Sequence, residues 1–67
     1  MHHEVQAQIE SAMQTKARTG CHKPAVVYET RISRRRVSLG WNYREGLEVG
    51  KVYTHEDGTP FTVLAIV

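Results

Sequence analysis

The stretch AVVYETRISRRRVSLGW, residues 25–41, decides the fold of this 67-residue chain. β-branched and aromatic side chains alternate with polar ones in residues 25–32 and again in residues 36–41, which is typical of two strands. The SRRR segment between them contains no Gly, Asn or Pro, so the stretch is either a hairpin with an arginine-rich tip or one long bent strand. We favour the hairpin, because strands usually have about five or six residues.

Residues 3–18, HEVQAQIESAMQTKAR, precede this stretch and predict one amphipathic helix. Acidic residues lie in its first half and basic residues at its end, which suits the helix dipole. Gly20 follows and can take the left-handed conformation that ends a helix. The apolar residues that recur at helical spacing form one stripe: Val5, Ile9, Ala12, Met13 and Ala17.

The C-terminal third contains two turn signals, one at Gly46 and a stronger one at Asp57-Gly58. A short strand is predicted between them, within residues 47–54 and interrupted at Gly50. The last run, residues 61–67, is apolar on both faces, which is typical of a central strand.

These elements predict one α+β domain over residues 1–67, with the helix at about 3–18 and the β region at about 25–67. We expect the N-terminal amphipathic helix to pack on a small, curved antiparallel β-sheet or an SH3-like barrel of four to five short strands. The predicted core is Val5, Ile9, Met13, Val26, Tyr28, Ile32, Val37, Leu39, Trp41, Val52, Phe61, Val63, Leu64 and Ile66.

Composition limits the class of protein. The single cysteine, Cys21, cannot form an intrachain disulfide and favours a reducing compartment. The sequence has neither a secretory leader nor an apolar run of about eighteen residues. We therefore expect a soluble cytoplasmic protein with no membrane partner.

Catalytic and metal-binding patterns are weak. Cys21 and His22 are adjacent, and adjacent side chains in extended chain point in opposite directions. The four histidines and one cysteine show no paired-ligand spacing, and no glycine-rich loop joins a strand to a helix. We therefore predict a non-enzymatic protein without a cofactor or a metal site.

Charge is distributed unevenly along the chain. Residues 16–44 contain eight basic residues and one acidic residue, for a net charge of +7. Residues 45–67 contain one basic and four acidic residues, for a net charge of −3. Such asymmetry is an argument about partners, and it indicates an anionic surface opposite the basic band.

The basic band supplies the candidate site. Arginine pairs with phosphate through two parallel N–H bonds and also stacks on bases. Trp41 and Tyr43 are candidate stacking platforms, although we favour a place in the core for Trp41. The candidate contacts to nucleic acid or to an acidic protein surface are Arg31, Arg34, Arg35, Arg36, Arg44 and Lys23.

Two functions follow, beside the alternative that the arginines are only a solvated hairpin tip. The first is a small binding protein whose arginine-rich hairpin contacts nucleic acid. The alternative is a phage or mobile-element protein that binds and inhibits or adapts a host protein complex, through competition with nucleic acid or mimicry of it. A homodimer through the C-terminal strand is a further expectation.

Residues 35–40, RRVSLG, resemble the phosphorylation consensus of cyclic-AMP-dependent protein kinase. The resemblance implies that Ser38 is the target serine. Because a kinase needs an accessible extended segment and the alternation places Ser38 in a strand, we interpret Ser38 as a strand residue.

Overall fold

The computed structural model describes residues 3–41 and 46–67 and has a helix followed by four strands. The observed elements confirm the predicted α+β class, and the helix and the longer strands begin and end within one residue of the expected positions. Their bounds are α1 His3–Thr19, β1 Ala25–Arg31, β2 Arg35–Trp41, β3 Val52–Thr54 and β4 Pro60–Ile66.

The four strands form one antiparallel sheet in the order β2-β1-β4-β3. The sheet is open, so the small sheet is confirmed and the SH3-like barrel is not formed. A closed barrel requires the two edge strands, β2 and β3, to pair with each other. β3 is only three residues long, and β2 lies at the opposite edge of the sheet.

Residues 25–41 form a hairpin and not a bent strand. The register runs from Ala25 opposite Trp41 to Arg31 opposite Arg35, so only residues 32–34 form the loop. Directly opposed residues share a face of an antiparallel pair, and successive residues alternate between faces. This register therefore fixes the face on which each hairpin side chain lies.

One sheet face, here called the helix face, carries Val27 and Val37 and packs against α1. The helix contacts β1, β2 and β4. Ala12 and Val27 are both fully buried in this layer. At the C-terminal end of α1, the Lys16 Nζ donates a hydrogen bond to the Val67 carbonyl oxygen at 2.9 Å, which fixes the helix over the sheet.

The end of α1 is as predicted. Gly20 has a φ of 69°, and its N–H donates to the Lys16 carbonyl oxygen at 2.8 Å. A residue with a Cβ would be strained at this φ, so glycine stops the helix here at low cost.

The opposite face, here called the aromatic face, holds a second apolar layer. Val26, Phe61 and Val63 are buried there. Leu47 also packs on this layer, so this part of the connection between β2 and β3 lies on the side away from α1. Tyr28 and Tyr53 complete the cluster.

Four predicted core residues are exposed, and these predictions were wrong. Met13 is 56% exposed because the buried helix side is centred on Ala12 and includes Gln8 and Lys16. Ile32 is 79% exposed because it lies in the hairpin loop. Val52 and Ile66 are also exposed; Val52 lies on the three-residue edge strand β3, and Ile66 is the last residue of β4.

The remaining predicted core residues are buried or partly buried. Three residues that the predicted core left out, Ala12, Ala25 and Val27, are fully buried. Ala25 and Val27 lie on β1, which has strand neighbours on each side and α1 above its helix face, so even its small side chains are covered.

β4 lies between β1 and β3, which confirms the prediction of a central final strand. Its backbone pairs with β3 over Pro60–Thr62, and Val63 exchanges hydrogen bonds with Gly50 and Lys51. A homodimer through the C-terminal strand stays a prediction.

Candidate functional site

The hairpin distributes its arginines over two faces. Arg31 and Arg35 are directly opposite each other and share the helix face with Glu29. Arg36 is opposite Thr30, so it lies on the aromatic face. The four arginines that fall within residues 31–36 of the sequence are therefore not one cluster in space.

Glu29 binds both arginines on the helix face. Its Oε1 lies 3.2 Å from the Arg31 Nε, and its Oε2 accepts a hydrogen bond from the Arg35 Nε. The Glu29 side chain is only 13% exposed. Like charges directly opposite each other destabilise a strand pair, and the carboxylate between Arg31 and Arg35 offsets that repulsion.

The ion pairs shift the pKa values of the groups involved. The hydrogen bond from Arg35 and the charges of both arginines lower the pKa of Glu29 below its ordinary value, against a smaller opposing effect of burial. The hydrogen bond to Glu29 raises the pKa of Arg35, and the nearby charge of Glu4 adds to the rise. Glu29 is therefore ionised and bound at neutral pH.

Acidification is expected to remove this stabilisation. Because the pKa of Glu29 is lower in the folded chain than in the unfolded chain, its contribution is present above the unfolded value and is lost as pH falls through the folded value. Glu29→Gln should lower the free energy of unfolding by about 1 kcal/mol at pH 7, and by less at acidic pH.

Urea unfolding of both proteins between neutral and acidic pH measures this difference. Glu56→Gln is the matched control, because Glu56 is an exposed turn residue outside the described ion pairs. A gap between wild type and Glu29→Gln that stays constant on acidification would contradict the assignment.

A cleft lies at the hairpin tip, on the side of Arg36. Its volume is about 260 Å³. Arg34 and Arg36 form no ion pair with any residue in the described ranges 3–41 and 46–67. The lining is Thr30, Ile32, Ser33, Arg34 and Arg36. Two uncompensated guanidinium groups and two hydroxyl groups thus face one opening, which suits a phosphate oxyanion.

Lys23 and Trp41 lie at the opposite end of the hairpin from this cleft. They border a second cavity of about 320 Å³, together with Thr15, Thr19 and Cys21. Trp41 is six strand steps from Arg35, which corresponds to about 20 Å. The structure therefore does not bring Trp41 or Lys23 together with the arginines, and Trp41 is partly buried beside α1.

Two predicted contacts, Arg44 and Tyr43, lie outside the described residues. Sequence reasoning missed Thr30 and Ser33 as cleft residues and Glu29 as the partner of two arginines. The alternation of β1 was the available signal, since it places Glu29 and Arg31 on one face. Within the described chain, no three His, Cys, Asp or Glu side chains are grouped closely enough to hold a metal ion.

Comparisons of the chain with protein-family models, with curated proteins and with solved structures found no match. In residues 3–41 and 46–67, no helix has the length and apolar character needed to cross a membrane.

Proposed function

We propose that this chain is a small, non-enzymatic cytoplasmic protein that binds the phosphate backbone of nucleic acid through the cleft at its hairpin tip. The observation that carries the proposal is the pair Arg34 and Arg36, which face one cleft without an acidic partner among the described residues. Contacts to phosphate depend on charge and not on base sequence, so the binding is sequence-independent.

The two arginine pairs differ in what they offer an anion. Arg31 and Arg35 already share the carboxylate of Glu29, so a phosphate there competes with an existing ion pair. Arg34 and Arg36 make no such contact within the described chain, so each can release a condensed counterion when it meets a phosphate. The second pair therefore supplies most of the binding energy.

Two hydroxyl groups can add directional hydrogen bonds to the charge interactions of the arginines. Thr30 and Ser33 line the same cleft as Arg34 and Arg36, and hydroxyl groups are frequent donors to phosphate oxygens. The chain holds these groups on a tight loop between paired strands, so little order has to be gained on binding.

The test measures binding of fluorescent single- and double-stranded oligonucleotides as a function of salt. Arg34→Ala and Arg36→Ala should each weaken binding about tenfold at about 50 mM salt and reduce the salt slope by about 1. Arg31→Ala and Arg35→Ala are the matched controls, with the same charge removed, and their losses should be clearly smaller.

Two results would oppose the proposal. If the wild-type protein binds neither DNA nor RNA at about 50 mM salt, the cleft is not a phosphate-binding site. Equal losses for all four substitutions would show that net charge matters and that the cleft does not.

One observation favours the alternative, a phage or mobile-element protein that binds a host protein. Ile32 is 79% exposed between the arginines, and an apolar side chain at a basic tip fits a pocket on an acidic protein. A pull-down from nuclease-treated host lysate should then recover one protein with wild type and lose it with Ile32→Ala, while oligonucleotide binding is unchanged. Recovery that survives Ile32→Ala would count against this alternative.

A further inference from the structure

The outer edge of β2 has no strand partner among the described elements. β2 is the terminal strand of the sheet and contacts β1 and α1. Native proteins protect edges with short strands, prolines, bulges or charged side chains, including charges that point inward. β3, the other edge, is three residues long, whereas β2 has seven residues, lacks proline and pairs with β1 without a bulge. Its charged residues, Arg35 and Arg36, occupy only its first two positions, so residues 37–41 leave the edge open to another strand.

The sequence of β2 is complementary to itself in the antiparallel direction. When two copies of β2 pair about a twofold axis at Ser38, the central residue, all seven residues of both strands take part. It sets Arg35 opposite Trp41 of a second copy and Val37 opposite Leu39. These pairs lie on the helix face, since Arg35, Val37, Leu39 and Trp41 alternate with the residues of the aromatic face.

The pairs in this register are favourable. Arginine opposite tryptophan makes a cation–π contact, and valine opposite leucine is an apolar cross-strand pair. On the aromatic face, Arg36 meets glycine and Ser38 meets serine. The register therefore places no like charges opposite each other, although β2 begins with two arginines.

The helix layer has the same symmetry. Thr15 and Thr19, near the C-terminal end of α1, border the same cavity as Trp41, and the helix runs back from there over β1 and β2. The three strand steps from Trp41 to Ser38 cover about 10 Å. About seven helix residues cover the same length. Counted back from Thr15 and Thr19, this places Ser11 at about the level of Ser38.

The side of α1 nearest the β2 edge is exposed and mostly small. Glu4, Ala7, Ser11 and Arg18 are exposed there, next to Thr15. The same twofold axis sets Glu4 against Arg18 of the second copy and Ser11 against Ser11. Because α1 contacts β1, β2 and β4, it lies over β1, and the two helix axes in such a pair would be about 14 Å apart. At that distance, long side chains such as Glu4 and Arg18 can reach across, but the helix backbones do not pack closely.

We propose that two copies of this chain associate through β2 and the adjacent side of α1, with the twofold axis at Ser38, to form a continuous eight-stranded antiparallel sheet. The dimer is independent of nucleic-acid binding. It covers the edge of β2 and adds ion pairs between the two helices to a domain whose core is small.

A cysteine at the twofold axis tests the register directly. Ser38→Cys in a Cys21→Ser background places two sulfurs across one antiparallel pair, where Cα separations of about 4.5–5.5 Å suit a disulfide. Mild oxidation should link most of the protein into covalent dimers. Ser33→Cys in the same background is the matched control, because the two loops would lie about 30 Å apart and should not link.

Sedimentation supplies a second measurement that needs no new bond. Ser11→Arg should raise the dimer dissociation constant by about tenfold or more, since it puts two charges at the axis. Ala17→Arg, on an exposed part of α1 away from β2, should leave the constant unchanged. Wild type that is monomeric at about 0.5 mM overturns the proposal. A dimer in which Ser38→Cys and Ser33→Cys link equally overturns it too.

Discussion

Phe61→Ala is expected to remove a large part of the folding stability of this domain. Phe61 is 4% exposed, and its ring lies 5.4 Å from Tyr28 and stacks on His55 at 4.3 Å. Truncating a buried phenylalanine costs about 3–5 kcal/mol. A chain of this length has a total stability of about 3–10 kcal/mol, so the loss uses up much of it.

Circular dichroism during urea unfolding measures the effect. Ile32→Ala is the control, because it removes a large apolar side chain that is 79% exposed, and it should change stability by less than about 0.5 kcal/mol. Similar midpoints for Phe61→Ala and wild type would show that the aromatic face does not form the second core of the domain.

Ala12→Leu is expected to be the next most damaging substitution. Ala12 is fully buried where α1 meets the helix face, so the backbone of the helix approaches the sheet closely at this point. A leucine there must displace α1 or force neighbouring side chains out of their rotamers, which costs about 1–3 kcal/mol.

Ala17→Leu is the matched control. Ala17 belongs to the same helix and is exposed, and leucine has nearly the same helix propensity as alanine. Thermal unfolding should separate the two variants by several degrees. A stabilised Ala12→Leu protein would mean that space exists under α1 and that the packing is looser than described.

The helix shows which features the spacing of apolar residues can predict and which it cannot. Spacing predicted its extent to within one residue, and Gly20 predicted its end. The pattern counted Met13 as core and Lys16 as polar, yet Lys16 is partly buried and its ammonium binds the Val67 carbonyl oxygen. Long charged side chains bury their stems while the head finds a polar partner, and a partner 51 residues away cannot be read from local spacing.

The β region shows a different limit. Alternation predicted the hairpin and the central position of β4, because it reports which side chains point the same way. It could not tell that Val52 is exposed, since exposure depends on the neighbours of β3. That strand is an edge with no helix contact among the described elements.

The candidate site depended on the length of one loop. SRRR carries no turn signal, so the sequence placed the arginines near a tip without saying which ones oppose each other. A three-residue loop sets Arg31 against Arg35 and separates them from Arg36. With a loop one residue longer or shorter, the arginines of β2 would exchange faces, and Glu29 would bind a different partner.

The strand order has a consequence for how the chain acquires its structure. β4 is synthesised after β1, β2 and β3, yet it fills the place between β1 and β3. The β1–β2 hairpin can pair early because its contacts are local, but the sheet then lacks one of its two central strands. The sheet is therefore expected to be completed only after β4 emerges, in a step limited by closing the long loop between β1 and β4.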